Sequence, residues 1–349
     1  MSFITQFIIE KIDFATLGIL FCLMAVVEGF NKLGYIDQVA GVLVKRAKSL
    51  KMLILTMVLS SFFLSMLVTN DVALIIMVPF SIQVLHRIGA GKQMIQTVVW
   101  ETIAANLGSM MTPIGNPQNV YLYSFYKMNM KDFFMALLPY GVISLLLLLI
   151  VICLQVEKGN GVTTEGEAFA EAAVREKQKL LKTVVYCVLF ACCLLTVLGK
   201  LSCIITFGLV VIIVVFLDYS LFRKINYGLL IKFAILFVLV GSVADIPMIS
   251  SGLKGIVSGN EFLAGVGLSQ FLSNVPTAIM LSQFTTNGIE LMLGVNVGGL
   301  GTLIASMASM ISLEFYSKIE RAEKKRYILS FTGYNILFLI VLLLYKFFT

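Results

Sequence analysis

The most constraining feature of this sequence is a set of apolar runs too long to be covered by the chain's own polar surface. A helix needs about 20 mostly apolar residues to cross a bilayer. Runs of that order recur at roughly 14–33, 95–126 (interrupted), 134–155, 184–199, 201–218, 228–248, 290–313 and 327–347. Over the 349 residues, 59% are hydrophobic and 13% charged, against about half and about a quarter in soluble domains. Lipid must supply part of the solvent. Soluble enzymes, nucleic-acid binders and secreted disulfide scaffolds are thereby excluded. The net charge of +7 arises from 26 Lys and Arg set in short clusters between apolar runs, the pattern of cytoplasmic loops and not of a nucleic-acid surface. Cys22, Cys153, Cys187, Cys192, Cys193 and Cys203 all lie inside apolar runs and read as packing residues. The first run lacks a small-residue cleavage site, so no signal peptide is expected. The reading is an all-α, multi-pass integral membrane protein, placed in a bacterial plasma membrane.

Two further apolar stretches, 52–85 and 263–284, behave differently. The first is preceded by Lys45, Arg46, Lys48 and Lys51 and followed by His86, Arg87 and Lys92. Basic residues mark the cytoplasmic side, so this stretch enters and leaves on one face. Its arms are short for full spans, and the expectation is a re-entrant hairpin with Thr69-Asn70-Asp71 at its tip. The loop from Lys127 to Asp132 then falls outside, and the polar stretch 157–182 falls in the cytoplasm, with an amphipathic helix expected at 165–182. Arg223, Lys224 and the Lys318–Arg326 cluster are again cytoplasmic, so by parity 263–284 is approached from outside. The chain divides into a first transmembrane repeat (1–156), a linker (157–182) and a second repeat (183–349).

The halves also match residue by residue. Leu64-Ser65 and Thr69-Asn70 align with Leu268-Ser269 and Ser273-Asn274 at an offset of 204, which extends to Phe80 and Phe284. Downstream, the segment Asn106 to Asn116 aligns with Asn296 to Ser306 at an offset of 190, keeping Asn, Gly, Thr and Ile. Upstream, Ile19-Leu20-Phe21 faces Ile235-Leu236-Phe237. Matches in order, with opposite inferred topology, predict two inverted repeats, each with a hairpin and an interrupted helix. That is an architecture of secondary transporters.

The polar segments fall in the middle of apolar runs, where each unpaired polar group costs several kcal/mol. Pro113 and Pro117 block regular helix after Gly108, and Gly115 frees the backbone. Unwound segments offer carbonyls to a cation, and half-helix N-termini offer amides to an anion. Asp71, an acid at a hairpin tip, is the sharpest single residue, as a ligand or as a cap on the second arm. Glu101 is the most embedded of the acids Glu28, Glu101, Asp218 and Asp245, suited to pairing with a base, carrying protons or ending a helix. His86 reads as solvated, Met as core packing, and Trp100 with most of the 12 Tyr as interfacial anchors. No His/Cys cluster, phosphate loop or nucleophile elbow occurs, so neither catalysis nor a cofactor is expected and energy must come from an ion gradient or a partner subunit.

At Ser65-x3-Thr69-Asn70-Asp71, Thr112-Pro-Ile-Gly-Asn-Pro-Gln-Asn119, Ser269-x3-Ser273-Asn274-Val275 and Gly298 to Ala305 the sequence resembles the ion transporter superfamily. Its members include citrate and dicarboxylate carriers (the divalent anion:sodium symporters), arsenite permeases and sodium/proton antiporters of the NhaD type. The resemblance covers nearly the whole chain. It implies a cation site in each half, one at Ser65, Thr69, Asn70 and Gly115, the other at Ser269, Ser273, Asn274 and Ala305, with Na+ or H+ as the coupling ion. Asn70, Asp71, Asn116, Asn274 and Val275 would then face a small anionic substrate. The tips depart from the Ser-Asn-Thr of the dicarboxylate branch: Thr69-Asn70-Asp71 is similar to the Asn-Asp tip of arsenite permeases, and Val275-Pro276 stands where a hydroxyl is expected. The first half offers one span before its hairpin and the second offers three, which leaves the family's scaffold pair, and the homodimer it supports, without a counterpart in the first half. The expectation is a secondary active transporter of a di- or tricarboxylate such as citrate. The other readings are arsenite efflux, Na+/H+ antiport, and a membrane subunit or intramembrane enzyme without transport.

Overall fold

The computed structural model describes residues 11–34, 49–156, 176–225, 227–244, 252, 254–320 and 322–349. They form fourteen α-helices: α1 (Phe14–Lys32), α2 (Leu50–Val68), α3 (Asn70–Arg87), α4 (Met94–Ser109), α5 (Pro117–Phe125), α6 (Met130–Gln155), α7 (Glu176–Val197), α8 (Cys203–Asp218), α9 (Tyr227–Ala244), α10 (Glu261–Leu272), α11 (Asn274–Ser282), α12 (Gly288–Val297), α13 (Met307–Ser317) and α14 (Lys324–Phe348). No strand occurs among the described residues. Six helical segments there are long and apolar enough to cross a membrane: α1, α2, α6, α14, and the segments Leu180–Val197 and Cys203–Arg223. Phe216, Ile204 and Leu154 are 86%, 83% and 80% exposed. Large apolar side chains so uncovered on spanning helices have lipid as their solvent.

Local sequence sets the helix ends. The Asp13 carboxylate accepts from the Ala15 and Thr16 amides at 3.0 Å, and Ser49 Oγ accepts from Met52 at 3.2 Å; both cap amides left without partners by the first turn. At the end of α3, Gly89 adopts φ +69° and the Ala90 amide donates back to the Leu85 carbonyl at 2.8 Å. A glycine closes the helix there because that torsion is open to it without steric cost.

Two helix–tip–helix units stand at the centre. The arms α2 and α3 are joined by Thr69 alone, and α10 and α11 by Ser273 alone. Each unit is followed by an interrupted helix, α4–α5 and α12–α13. The first arms have 19 and 18 residues, so α2 is not short of a full span, while α10 and α11 have 12 and 9. At about 1.5 Å per residue, α2 is about 28 Å long and α10 about 18 Å. Each first arm packs along its own broken helix, α2 on α4 and α10 on α12; each second arm crosses to the other half, α3 onto α13 and α11 onto α5. Outside this centre α1 packs against α7 and α8. Lys32 pairs with Asp218 at 2.6 Å and donates to Ser220 at 2.8 Å, tying α1 to the end of α8.

One expectation changes. Trp100 is no interfacial anchor: it is 1% exposed and its ring meets that of Tyr334 edge-on at 5.6 Å. Tyr186 and Tyr327 are buried as well. Of the helix expected at 165–182, the described residues from Glu176 onward are helical and run without a break through α7 to Val197; residues 157–175 and Asp245 lie outside the described residues.

Candidate functional site

Thr69 and Ser273 share one unusual backbone conformation, φ 76° and ψ 152° at the first, φ 74° and ψ 154° at the second. This region belongs almost entirely to glycine and costs a side-chain-bearing residue about 1–3 kcal/mol. What holds each tip there is the same contact. The Asn70 amide donates to the Gly115 carbonyl at 3.0 Å, and the Asn274 amide donates to the Ala305 carbonyl at 2.9 Å. The hairpin tip is thus bonded to the break of the helix that follows it, in both halves.

The two sequence offsets reappear as paired contacts. Thr112 Oγ1 donates to the Met66 carbonyl at 2.7 Å, and its counterpart Thr302 Oγ1 donates to the Gln270 carbonyl at 2.9 Å. Gly108 lies against the backbone of Phe62, and Gly298 against Val266 Cα and Ser269 Cβ. Ser65 and Ser269, both buried, donate back into their own helices, to Phe62 at 2.8 Å and Gly265 at 2.7 Å.

Each break carries an amide brace. Asn119 Nδ2 donates to the Met110 and Thr112 carbonyls at 3.1 and 3.0 Å. In the second half Gln270 Nε2 donates to the Gly298 and Leu300 carbonyls, both at 2.9 Å, and Gln270 Oε1 accepts from the Thr302 amide at 3.0 Å. The unwound carbonyls are therefore partly engaged already. At each tip and break two helices end and two begin, so the carbonyl ends of α2 and α4, or of α10 and α12, meet the amide ends of α3 and α5, or of α11 and α13. Carbonyl ends attract cations and amide ends attract anions. One such junction offers both.

Asn106 and Asn296 join the halves. Asn106 Oδ1 accepts from Asn70 Nδ2 at 3.1 Å and from Ser306 Oγ at 3.0 Å, and its Nδ2 donates to Ser309 Oγ at 3.4 Å. Asn296 Oδ1 accepts from Asn116 Nδ2 at 3.0 Å and Gln118 Nε2 at 3.3 Å, and its Nδ2 donates to Asn119 Oδ1 at 2.7 Å. Asn116 and Asn119 are the counterparts of Ser306 and Ser309, so one pair of contacts is made twice with the halves exchanged. Neither Asn106 nor Asn296 was among the predicted site residues, although both open the aligned segments.

Of the predicted residues, Ser65, Thr69, Asn70 and Gly115 gather at the first tip, and Ser269, Ser273, Asn274 and Ala305 at the second. Ser273 Oγ lies 3.4 Å from both Asn274 Oδ1 and the Ala305 carbonyl. Asn116 is turned towards Asn296, and Val275 is buried. Thr69 and Asp71 open instead onto a cavity of about 90 Å³ between the first tip and α1, which Glu28 and Lys224 also line. The second tip takes no part in it. Among the described residues no cluster of His, Cys, Asp or Glu is arranged to hold a metal ion.

A family model described as "Citrate transporter" matches residues 1–308. The chain belongs to the citrate transporter family. Its relatives in the family include an uncharacterized transporter of Methanocaldococcus jannaschii, 30% identical over 307 residues that make up 86% of this chain and 81% of that one. The inner membrane protein YbiR of Escherichia coli is 31% identical over 310 residues, 86% of this chain and 80% of that one. An uncharacterized transporter of Mycobacterium tuberculosis is 23% identical over 340 residues, 86% and 78% of the two chains. The match to the citrate transporter family and the long apolar helices together make this chain a multi-pass membrane transporter.

Proposed function

We propose that the chain is a secondary active transporter of a small anion, a di- or tricarboxylate such as citrate, driven by Na+ or H+ across a bacterial plasma membrane. The observation that carries this reading is the pair of strained tips, each bonded through one amide to the break of its own half. The charge pattern orients the halves oppositely, so the two units are the hairpins of an inverted repeat, the second re-entrant with arms too short to cross and the first with α2 long enough to span, and their exchange contacts lie at its pseudo-two-fold axis. The cation sites are at Ser65, Thr69, Asn70 and Gly115, and at Ser269, Ser273, Asn274 and Ala305. Asn70, Asp71, Asn116, Asn274 and Val275 bound the space for substrate.

The cavity beside Asp71 measures about 90 Å³. Pockets for small organic ligands measure about 300–1,000 Å³, so admitting a tricarboxylate requires the first tip to move away from α1. On the cavity wall Asp71 and Glu28 oppose a carboxylate and Lys224 attracts one, each by about 4 kcal/mol for a charge 4 Å away at an effective dielectric of 20. A bound cation or proton beside the acids shifts that balance towards the substrate, which ties its entry to the coupling ion. The same two acids favour a second reading, arsenite efflux or cation/proton antiport.

Thermal unfolding separates the two. Citrate, succinate, malate, sulfate and arsenite are each added with and without Na+, in acidic and in alkaline buffer. A ligand at about 100 times its Kd stabilises the folded state by about 2.7 kcal/mol. For a carboxylate symporter the melting temperature rises with citrate or another carboxylate only when the cation is present, and the rise is lost in Asn70→Ala and Asn274→Ala. Stabilisation by arsenite or Na+ alone that vanishes in Asp71→Asn establishes the second reading instead.

The inverted orientation has its own test. Single cysteines at Asn287 and Lys318, introduced into a cysteine-free background, are exposed to a membrane-impermeant thiol reagent in intact cells. Asn287→Cys is expected to react and Lys318→Cys to be protected. Equal labelling would place both ends of the interrupted helix α12–α13 on one side and overturn the arrangement.

A further inference from the structure

Six buried side-chain oxygen and nitrogen atoms among the described residues have no hydrogen-bond partner, and five of them sit on α4 and α14: Gln96 Oε1, Trp100 Nε1, Glu101 Oε2, Tyr327 Oη and Asn335 Oδ1. Glu101 is the acid among them. It is 0% exposed; Oε1 accepts from Ser81 Oγ of α3 at 2.5 Å, and Oε2 meets no polar group. An ionised carboxyl in such surroundings needs a cation or several donors, and Glu101 has a single hydroxyl.

Glu101 itself is tied to the first hairpin by Ser81 of α3, and on the next residue of α4 begins a row of polar contacts that reaches the candidate site. On α4, Thr102 Oγ1 lies 2.7 Å from Ser312 Oγ of α13. One turn further, Asn106 donates to Ser309, then accepts from Ser306 and from Asn70 of the first tip. Ser312, Ser309 and Ser306 fall three residues apart, on one face of the chain entering α13. In the other direction α14 packs on α4, and its Tyr327 hydroxyl is buried a turn inside the exposed Lys324, Lys325 and Arg326.

The twin interface argues that this row is not there to hold the fold. At the offset of 190, Glu101 and Thr102 correspond to Leu291 and Met292, and Ser312 corresponds to Leu122; all three counterparts are apolar and 0% exposed. The same helix pairing thus packs without hydroxyls or acid in the other half. Polar residues at membrane depth are expensive, and here they extend one junction only, towards the basic cytoplasmic cluster.

We propose that Glu101 is the proton-binding group of this transporter, loaded and emptied in step with the first hairpin through its contact with Ser81 of α3. This rests on the reading of the chain as a secondary transporter. A proton from water binds Oε2, an O–H bond forms and the carboxylate becomes a neutral acid; release reverses the step. The groups that can influence it are few. Tyr327 of α14 faces it, with Tyr316 of α13 stacked behind at 4.8 Å. On α3 it meets Ser81, while His86 and Arg87 are exposed at the far end. Lys51 of α2 is engaged with the Cys153 carbonyl, Glu290 of α12 with Lys346, and Tyr140 of α6 with the Tyr345 ring.

Purified wild type, Glu101→Gln and Glu101→Asp are reconstituted in liposomes containing a pH-sensitive dye, with citrate as the probe and no Na+ gradient. Wild type is expected to take up citrate faster under an inward proton gradient while the lumen acidifies. In Glu101→Gln, which keeps the acceptor for Ser81, the gradient response is lost; Glu101→Asp, which keeps the titrating carboxyl, restores part of it. A gradient response that survives in Glu101→Gln overturns the proposal, as does wild-type uptake indifferent to the gradient. If wild type transports no citrate, that substrate fails and infrared titration decides Glu101 on its own. A carboxylic acid carbonyl band that grows on acidification and is missing from Glu101→Gln upholds proton binding, and identical spectra refute it.

Discussion

Replacing Gly108 by alanine is expected to cost about 3 kcal/mol or more, the upper end of what overpacking a core costs, and to abolish ligand binding at the first hairpin. A Cβ on Gly108 would stand 2.0 Å from the Phe62 carbonyl oxygen, 2.8 Å from its carbon and 2.7 Å from Ser65 Oγ. Two of these three atoms are backbone of α2, so no rotamer change relieves the clash. The arm has to move away from α4, and the Ser65 hydroxyl moves with it. Gly298→Ala meets Val266 Cα at 2.8 Å and Ser269 Cβ at 2.9 Å, a looser contact with a smaller expected loss. Gly208→Ala in α8 meets nothing within 4 Å and serves as control. Alanine favours helix over glycine by up to about 1 kcal/mol, so this variant should melt at or above the wild-type temperature. The order of melting temperatures, Gly208→Ala highest and Gly108→Ala lowest, checks the packing; a Gly108→Ala protein as stable as wild type would disprove the close approach.

Asn296→Ala carries the second large effect. The side chain accepts from Asn116 and Gln118, donates to Asn119, and donates to the Met292 carbonyl at 2.8 Å. A buried polar group left unpaired costs about 1–3 kcal/mol, whereas side-chain hydrogen bonds measured between membrane helices average about 0.6 kcal/mol. Here three neighbouring amides lose one partner each. Asn119 keeps its two carbonyls and Asn116 keeps its bond to the Asn119 amide at 2.9 Å. A loss of about 2–4 kcal/mol follows, with transport reduced further because the halves lose one of their two exchanged contacts. Asn296→Asp is not expected to rescue it, since the donations to Asn119 and Met292 need the NH2 group. A cycle with Asn116→Ala measures the coupling: a double variant no worse than Asn296→Ala alone places both residues in one network, and full additivity separates them.

The apolar runs, the tips, the breaks and the two offsets were legible in the sequence because each depends on neighbours along the chain. Pro113, Gly115 and Pro117 end α4 wherever that segment finds itself, and Thr69-Asn70-Asp71 interrupts an apolar run whatever packs on it. Family membership followed from the same short segments. The long-range partners were not legible. Asn106 reaches Ser306 and Ser309, and Asn296 reaches Asn116 and Asn119, across roughly half the chain; local sequence gives an asparagine no reason to choose a partner that far away. Trp100 looked like an anchor because position in a run says nothing about which side of a helix another helix covers. Thr69 and Ser273 stand where torsions alone would ask for glycine, and only the bond from the next amide to Gly115 or Ala305 keeps them there. Sequence by itself determined that this chain lives in a bilayer and where its helices must break, since lipid leaves backbone groups no partner but their own helix. Tertiary structure decided what the broken places do, because a polar atom freed at depth has to be satisfied by whatever the fold brings beside it. For Glu101, the described residues bring a single hydroxyl.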